Sequence, residues 1–171
     1  MDLMIDIETL DVKPTGVIVS VGICAFDMDG IHAKQYFILD GEEQVSKGRT
    51  ISFDTLEWWF RQNEAVNKAA FNLTTRGSVK EFLEGFAYFC TLHNVNKVWA
   101  QGTDFDLAMI ADLHRDYDYE LPYQFFLARD SRTMIDYMSS EKPVREGDHH
   151  NAMDDAVYQA ECVILALKEK G

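Results

Sequence analysis

Apolar and polar residues alternate at the start of the chain, where Leu3, Ile5 and Ile7 are interleaved with Met4, Asp6 and Glu8. Residues two apart share a face of an extended chain, so this pattern predicts a β-strand with Asp6 and Glu8 side by side. Lys13-Pro14-Thr15-Gly16 reads as a turn. The apolar, β-branched run Val17 to Phe26 and the stretch Ala33 to Leu39 predict two more strands, with Asp27-Met28-Asp29-Gly30 as the hairpin turn. Strands so closely spaced predict an antiparallel meander. Residues 40–53 are polar and read as a surface loop.

Past residue 53 the apolar spacing changes to that of helices. Asp54-Thr55-Leu56-Glu57 fits a capping box before Trp58-Trp59-Phe60, and a second helical stretch follows over Glu64 to Phe71. Ser78-Val79-Lys80-Glu81 repeats the capping pattern. It opens a helix whose apolar face is Val79, Phe82, Leu83, Phe86, Phe89 and Cys90. Lys97 to Gln101 predicts a short strand, Gly102-Thr103 a turn, and Phe105 to Leu113 a helix. A short strand is expected around 124–128, a helix over Ser131 to Met138, and a polar loop over 139–150. A final helix over Asn151 to Lys168 carries Ala152, Ala156, Ala160, Val163 and Leu167 close to one stripe. The sum is one α/β domain over residues 1–171. Its mixed sheet is antiparallel over the first three strands and flanked by helices.

Composition changes this picture little. Hydrophobic residues make up 47% and charged residues 26%, which is ordinary for a soluble globular protein. No apolar run approaches the roughly 20 residues that a membrane helix needs, and no leader pattern precedes the first strand. Cys24, Cys90 and Cys162 lie far apart and read as buried free thiols, so a cytoplasmic location is expected. Charge matters more. Sixteen Lys and Arg against 29 Asp and Glu give a net charge of −13. That balance argues against tight, non-specific binding to long nucleic acid, which favours a basic face. It leaves room for an enzyme that grips a strand end through bound cations, because each divalent ion reverses the local potential.

Asp6 and Glu8 are therefore the first candidates for chemistry. Two like charges on one face of a buried strand repel each other and lose solvation, and a divalent cation neutralises both. An edge strand with its carboxylates in water is the competing reading. Two further places set acids beside apolar helix faces. In Trp99-Ala100-Gln101-Gly102-Thr103-Asp104-Phe105-Asp106 a strand turns into a helix; Asp104 suits a helix cap, and Asp106 lies inside the first turn. In His149-His150-Asn151-Ala152-Met153-Asp154-Asp155 neighbouring helical residues point about 100° apart. Asp155 then borders the packed alanine stripe and Asp154 faces solvent. His150, five positions earlier in a loop, is a candidate for acid–base work.

Taken together, Asp6-Ile7-Glu8-Thr9, Phe105-Asp106 and His150-x-Ala152-x-x-Asp155 resemble the three motifs of the DEDDh (DnaQ-like) 3′–5′ exonucleases, which have a ribonuclease-H-like fold. The resemblance covers essentially the whole chain. Finer features resemble the phage and bacterial branch with exoribonuclease-like and exonuclease-VIII-like domains. They are Thr55-Leu56-x-Trp58-Trp59-x-x-Gln62, the Trp99-x-x-Gly102 lead into Phe105-Asp106, and Arg129-Asp130-x-Arg132-Thr133. Gln101 departs from the asparagine that relatives often carry there.

The resemblance implies a metal-dependent 3′–5′ exonuclease acting on single-stranded RNA or DNA 3′ ends, with RNA favoured. Two divalent cations, Mg²⁺ or Mn²⁺, would be held by four acids. Asp6 would bridge them, Glu8 and Asp155 would complete the more enclosed site, and Asp106 would support the second. His150 would be the general base. Thr9, through its backbone, and Leu10, as an apolar wedge, would lie beside the terminal nucleotide. Phe105 could stack on a base, and Arg132, with Arg61, Arg129 and Arg145, could contact phosphate. A homodimer would extend the substrate surface. The competing functional class is a binding module seated on a polymerase or repair complex.

Overall fold

In the computed structural model, which describes residues 1–71 and 75–170, five strands form one sheet in the order β3-β2-β1-β4-β5. They are β1 (Asp2–Thr9), β2 (Ile18–Asp27), β3 (Gly30–Ile38), β4 (Lys97–Ala100) and β5 (Ala128–Asp130). The first three run antiparallel as a meander, and β4 and β5 join β1 in parallel. This is the mixed sheet that the strand spacing predicts.

Helices cover both faces. The side chains of Leu3, Ile5 and Ile7 meet α4 (Val79–Leu92) and α5 (Ala108–Asp116), where Phe82, Phe86, Ile110 and Leu113 close the larger core. Each such fully buried side chain is worth about 1.5–3 kcal/mol. On the opposite face Met4, Cys24, Phe26 and Trp99 pack under α7 (Ala152–Lys168) through Ala156, Ala160, Val163 and Ile164. Small residues let α7 come close. At Gly22, which pairs with Asp6, a β-carbon would stand 2.2 Å from the carbonyl oxygen of Ala152. The first turn of α7 therefore rests directly on β2, beside Asp6.

The other helices differ in detail from their predicted bounds. The polar stretch 40–53 contains α1 (Gly41–Ser46), capped by Asp40, whose carboxylate accepts from the Glu42 and Glu43 amides. Fully buried Gln44 explains why a helix forms there: its amide bonds both the N–H and the C=O of Ile18 at the start of β2. α2 (Phe53–Phe60) begins at Ser52 rather than Asp54, and the expected capping box is not made. α3 (Glu64–Ala70) has its Asn63 side chain bonded to the Val66 amide. The capping box of Ser78 and Glu81 on α4 is formed in full. The strand expected around 124–128 lies later, at 128–130, because Phe125–Leu127 form a 3₁₀ turn. α6 (Ser131–Asp136) follows. No helix of the described residues is long and apolar enough to cross a membrane.

Candidate active site

The acids come from three elements that the fold brings to one end of the sheet. Asp6 and Glu8 leave the α7 face of β1, and Asp155 descends from the first turn of α7. One carboxylate oxygen from each lies within 4.8 Å of the other two. A register shift between Glu8 and Thr9 marks a bulge at the end of β1, a device that re-aims side chains where a strand meets a site.

Asp106 arrives from the other side. The β1–β4 pairing covers Asp2 to Met4, so the backbone of β1 beyond it can take another partner. After β4 the chain turns through a π-helical turn (Thr103–Leu107), opened by Gly102 at φ +127°. The Asp106 carboxylate then accepts from the Ile7 amide at 3.2 Å and is 5% exposed. Asp104, expected as a cap, makes no capping bond; the turn closes through the Phe105 and Asp106 amides onto the Gly102 carbonyl.

So many acids in so little water keep their protons to higher pH. Burial pushes Glu8 up from 4.5 to about 8, with Asp106 adding repulsion. Asp106 is raised to about 7 by burial, against the Ile7 amide and the Arg132 charge. Asp6 is raised well above its ordinary value by burial, then by Asp106 and Glu8. Two groups oppose that rise: the Gln159 side chain, which donates to Asp6 Oδ1 at 2.7 Å, and Arg145, which is ion-paired with Asp155.

His150 stands at the rim. Its backbone N–H donates to Asp155 Oδ2 at 2.9 Å and its φ is +65°, a conformation unusual for a residue with a side chain. The imidazole packs edge-on against Trp58 of α2, with ring centroids 4.7 Å apart. Burial, then the charges of His149 and Arg145, lower its pKa, which favours the neutral ring.

A slot of roughly 430 Å³ opens beside Glu8, lined by Thr9, Val12, Asp54, Thr55, Trp58 and Phe105. The Thr9 carbonyl accepts from Trp59 Nε1, and Thr9 and Phe105 both line this slot. Leu10 does not. It is 8% exposed and packs with Val17, Val19 and Trp59, because the chain beyond the bulge turns it into the core under α2 and α3. The exposed apolar side chains at the slot are Val12, at 70%, and Trp58, at 37%. Arg132 donates to the Gln101 carbonyl at 3.0 Å, close to Gly102 and Asp106. Arg129 bonds the Phe126 and Ala128 carbonyls, and Arg61 pairs with Glu57 on the surface of α2.

Sequence reasoning missed Gln159. Its place four residues after Asp155 sets both on one helix face, and that spacing is a readable signal. The close approach at Gly22 left none.

Two comparisons agree with this architecture. Residues 1–167 match the family model described as the 3′-5′ exoribonuclease Rv2179c-like domain. Among solved structures, the fold is similar to the nuclease domain of 3'hExo, a DEDDh family member, bound to rAMP. The TM-score is 0.66 at 11% identity, covering 98% of this chain and 91% of that one. No curated protein matches the chain in sequence. The mixed sheet flanked by helices is thus the ribonuclease-H-like fold of a DEDDh nuclease, and the chain belongs to the Rv2179c-like 3′–5′ exoribonuclease domain family, a 3′–5′ exonuclease.

Proposed function

We propose that this exonuclease removes nucleotides from the 3′ ends of single-stranded RNA, with Asp6, Glu8, Asp106 and Asp155 holding two divalent cations and His150 acting as general base. One observation carries this: three carboxylates from β1 and α7 meet within 4.8 Å, with the His150 backbone fastened to one of them. The donor set fits the ions. All the candidate ligands are hard carboxylate oxygens, which suit Mg²⁺ or Mn²⁺, and the acids are raised by burial and then by mutual repulsion, a charge imbalance that cations would relieve. When bound, two such ions stabilise the attacking and leaving oxygens of an in-line displacement.

The protein's own residues do the rest. Neutral His150 accepts a proton from the attacking water, and Trp58 restricts where its ring can point. The slot beside Glu8 receives the terminal nucleoside between Val12, Trp58 and Phe105. Glu8 is the acid of the cluster that lines that slot and suits a ribose 2′-hydroxyl as acceptor, which favours RNA over DNA. Arg132, beside Asp106, meets the phosphate side.

The test uses 5′-labelled and 3′-labelled single-stranded RNA and DNA with Mg²⁺ or Mn²⁺. The expected result is a ladder shortening from the 3′ end, faster on RNA and absent with Asp155→Ala. His150→Ala should slow turnover by about 10²–10⁴-fold and remove the acidic limb of the pH–rate profile. Undiminished cleavage by either variant contradicts the assignment. Equal rates on RNA and DNA would remove the ribose contact from it.

A further inference from the structure

Two arginines in this protein, Arg49 buried and Arg145 half-buried, are held in very different ways. Arg49 is a finished clamp. Its Nε and Nη2 donate to the Gly16 carbonyl, Nη2 also to Pro14, and Nη1 to Asp112 and Asp116. Arg145 is not finished. Its guanidinium is paired with Asp155 Oδ1 and lies 4.6 Å from the centre of the Tyr158 ring, yet its Nε is buried without an acceptor among the described residues. A guanidinium carries five donors, and one left idle in a half-dry site is a stopgap.

The surroundings show what it stands in for. The loop before α7 runs back along that helix. Ser139 and Ser140 bond Glu169 at the far end, and the Asp148 amide bonds Asp154. Gly147, at φ +85°, passes so close to Asp154 that a β-carbon would come within 2.5 Å. At the near end both oxygens of Asp155 are taken by this loop, Oδ1 by Arg145 and Oδ2 by the His150 amide. The pair is largely shielded from water, at 19% and 14% side-chain exposure. Asp155 is also one of the three acids that converge as a cation site.

From this we infer that Arg145 is a resident counter-ion, which occupies Asp155 in the metal-free protein and must give up that oxygen when a divalent cation binds. The inference rests on the metal-site reading above. Like charges compete for one carboxylate oxygen, so Arg145 weakens cation binding, and cation binding in turn frees Arg145 by the same factor. The Glu169 and Asp154 bonds stay in place, so the exchange is local to Arg145 and the backbone next to His150. The Tyr158 face retains the guanidinium near the site after release.

Calorimetric titration of Mn²⁺ into the whole protein tests this, with substrate absent. Arg145→Gln should bind Mn²⁺ about tenfold more tightly than wild type, within the roughly 5–150-fold range of coupled sites. Arg132→Gln removes the same charge near Asp106 without vacating a carboxylate, and should give a clearly smaller gain. Arginine labelling with phenylglyoxal, read by peptide mass spectrometry, supplies a second measurement on unaltered protein. Mn²⁺ should raise modification of Arg145 several-fold while the clamped Arg49 stays unmodified. Wild-type Mn²⁺ binding with equal or weaker binding by Arg145→Gln overturns the inference, as does unchanged Arg145 labelling. Absence of Mn²⁺ binding in both proteins overturns the metal-site reading itself.

Discussion

On one face of β1, Leu3, Ile5 and Ile7 are sealed beneath α4 and α5; on the other, Met4 gives way to Asp6 and Glu8 beneath α7. The two faces come from alternate residues of one strand, and burial acts on them with opposite sign. It stabilises the aliphatic face, whereas it drives the carboxylates of the other towards their neutral forms. The acid face holds its shape because the apolar face fixes β1 and because α7 is seated on Gly22. A scaffold that is stable without the site can hold a site whose acids burial and repulsion destabilise.

Breaking the acid face should move activity and stability in opposite directions. Asp6→Asn keeps an oxygen for Gln159 and removes a charge. Turnover should fall at least about a thousandfold, the scale of several kcal/mol of lost transition-state stabilisation. Thermal unfolding of the metal-free protein at pH 8 should move to higher temperature. A variant that loses both activity and stability would show that Asp6 is structural.

The apolar face should answer the other way. Phe86→Ala empties a fully buried position between Phe82, His114 and Tyr123, and should cost about 3–5 kcal/mol in denaturant unfolding. Mn²⁺ affinity per folded molecule should be unchanged. Loss of metal affinity at full stability would mean that the two faces are not separable.

Gly22→Ala probes the joint between them. Its methyl group meets the Ala152 carbonyl, so β2 and α7 must part, at about 1–3 kcal/mol of stability. Asp155 should then move away from Asp6, and Mn²⁺ should bind more weakly. Weakened stability with undisturbed Mn²⁺ binding would show that the seat of α7 does not set the spacing of the acids.

The same contrast explains what could be read from the sequence. The apolar face, the meander, the capping box of α4 and the alanine stripe of α7 are local patterns, and all are present in the fold. The acid quartet is legible through its resemblance to the three exonuclease motifs, with periodicity placing the acids on a strand, a turn and a helix start; of the four, Asp6, Glu8 and Asp155 converge as one cluster. What escaped depends on contacts across the chain. α1 forms around Gln44, whose partner Ile18 is 26 residues away, and Ser52 displaces Asp54 as the start of α2. Leu10 turns inward because of a bulge, a backbone feature that residue type does not announce. Arg145 could be named among basic residues, but its seat on Asp155 and Tyr158 belongs to a loop without periodicity.

On the proposed function, the acids are held together against burial and their own repulsion until cations arrive. Glu8 and Asp106 are raised to about 8 and about 7, so between pH 4.5 and 8 the folded protein binds more protons than the unfolded chain. Their stability contribution is fully present below the ordinary carboxylate range and is lost as pH rises through the folded values. The direct measurement is thermal unfolding across pH 4.5–8, in chelator and in Mn²⁺. In chelator the transition should fall with rising pH, more steeply than in Asp6→Asn, and Mn²⁺ should restore it most at pH 8. A transition as flat as that of Asp6→Asn in chelator, or one that Mn²⁺ leaves unmoved at pH 8, would contradict the account.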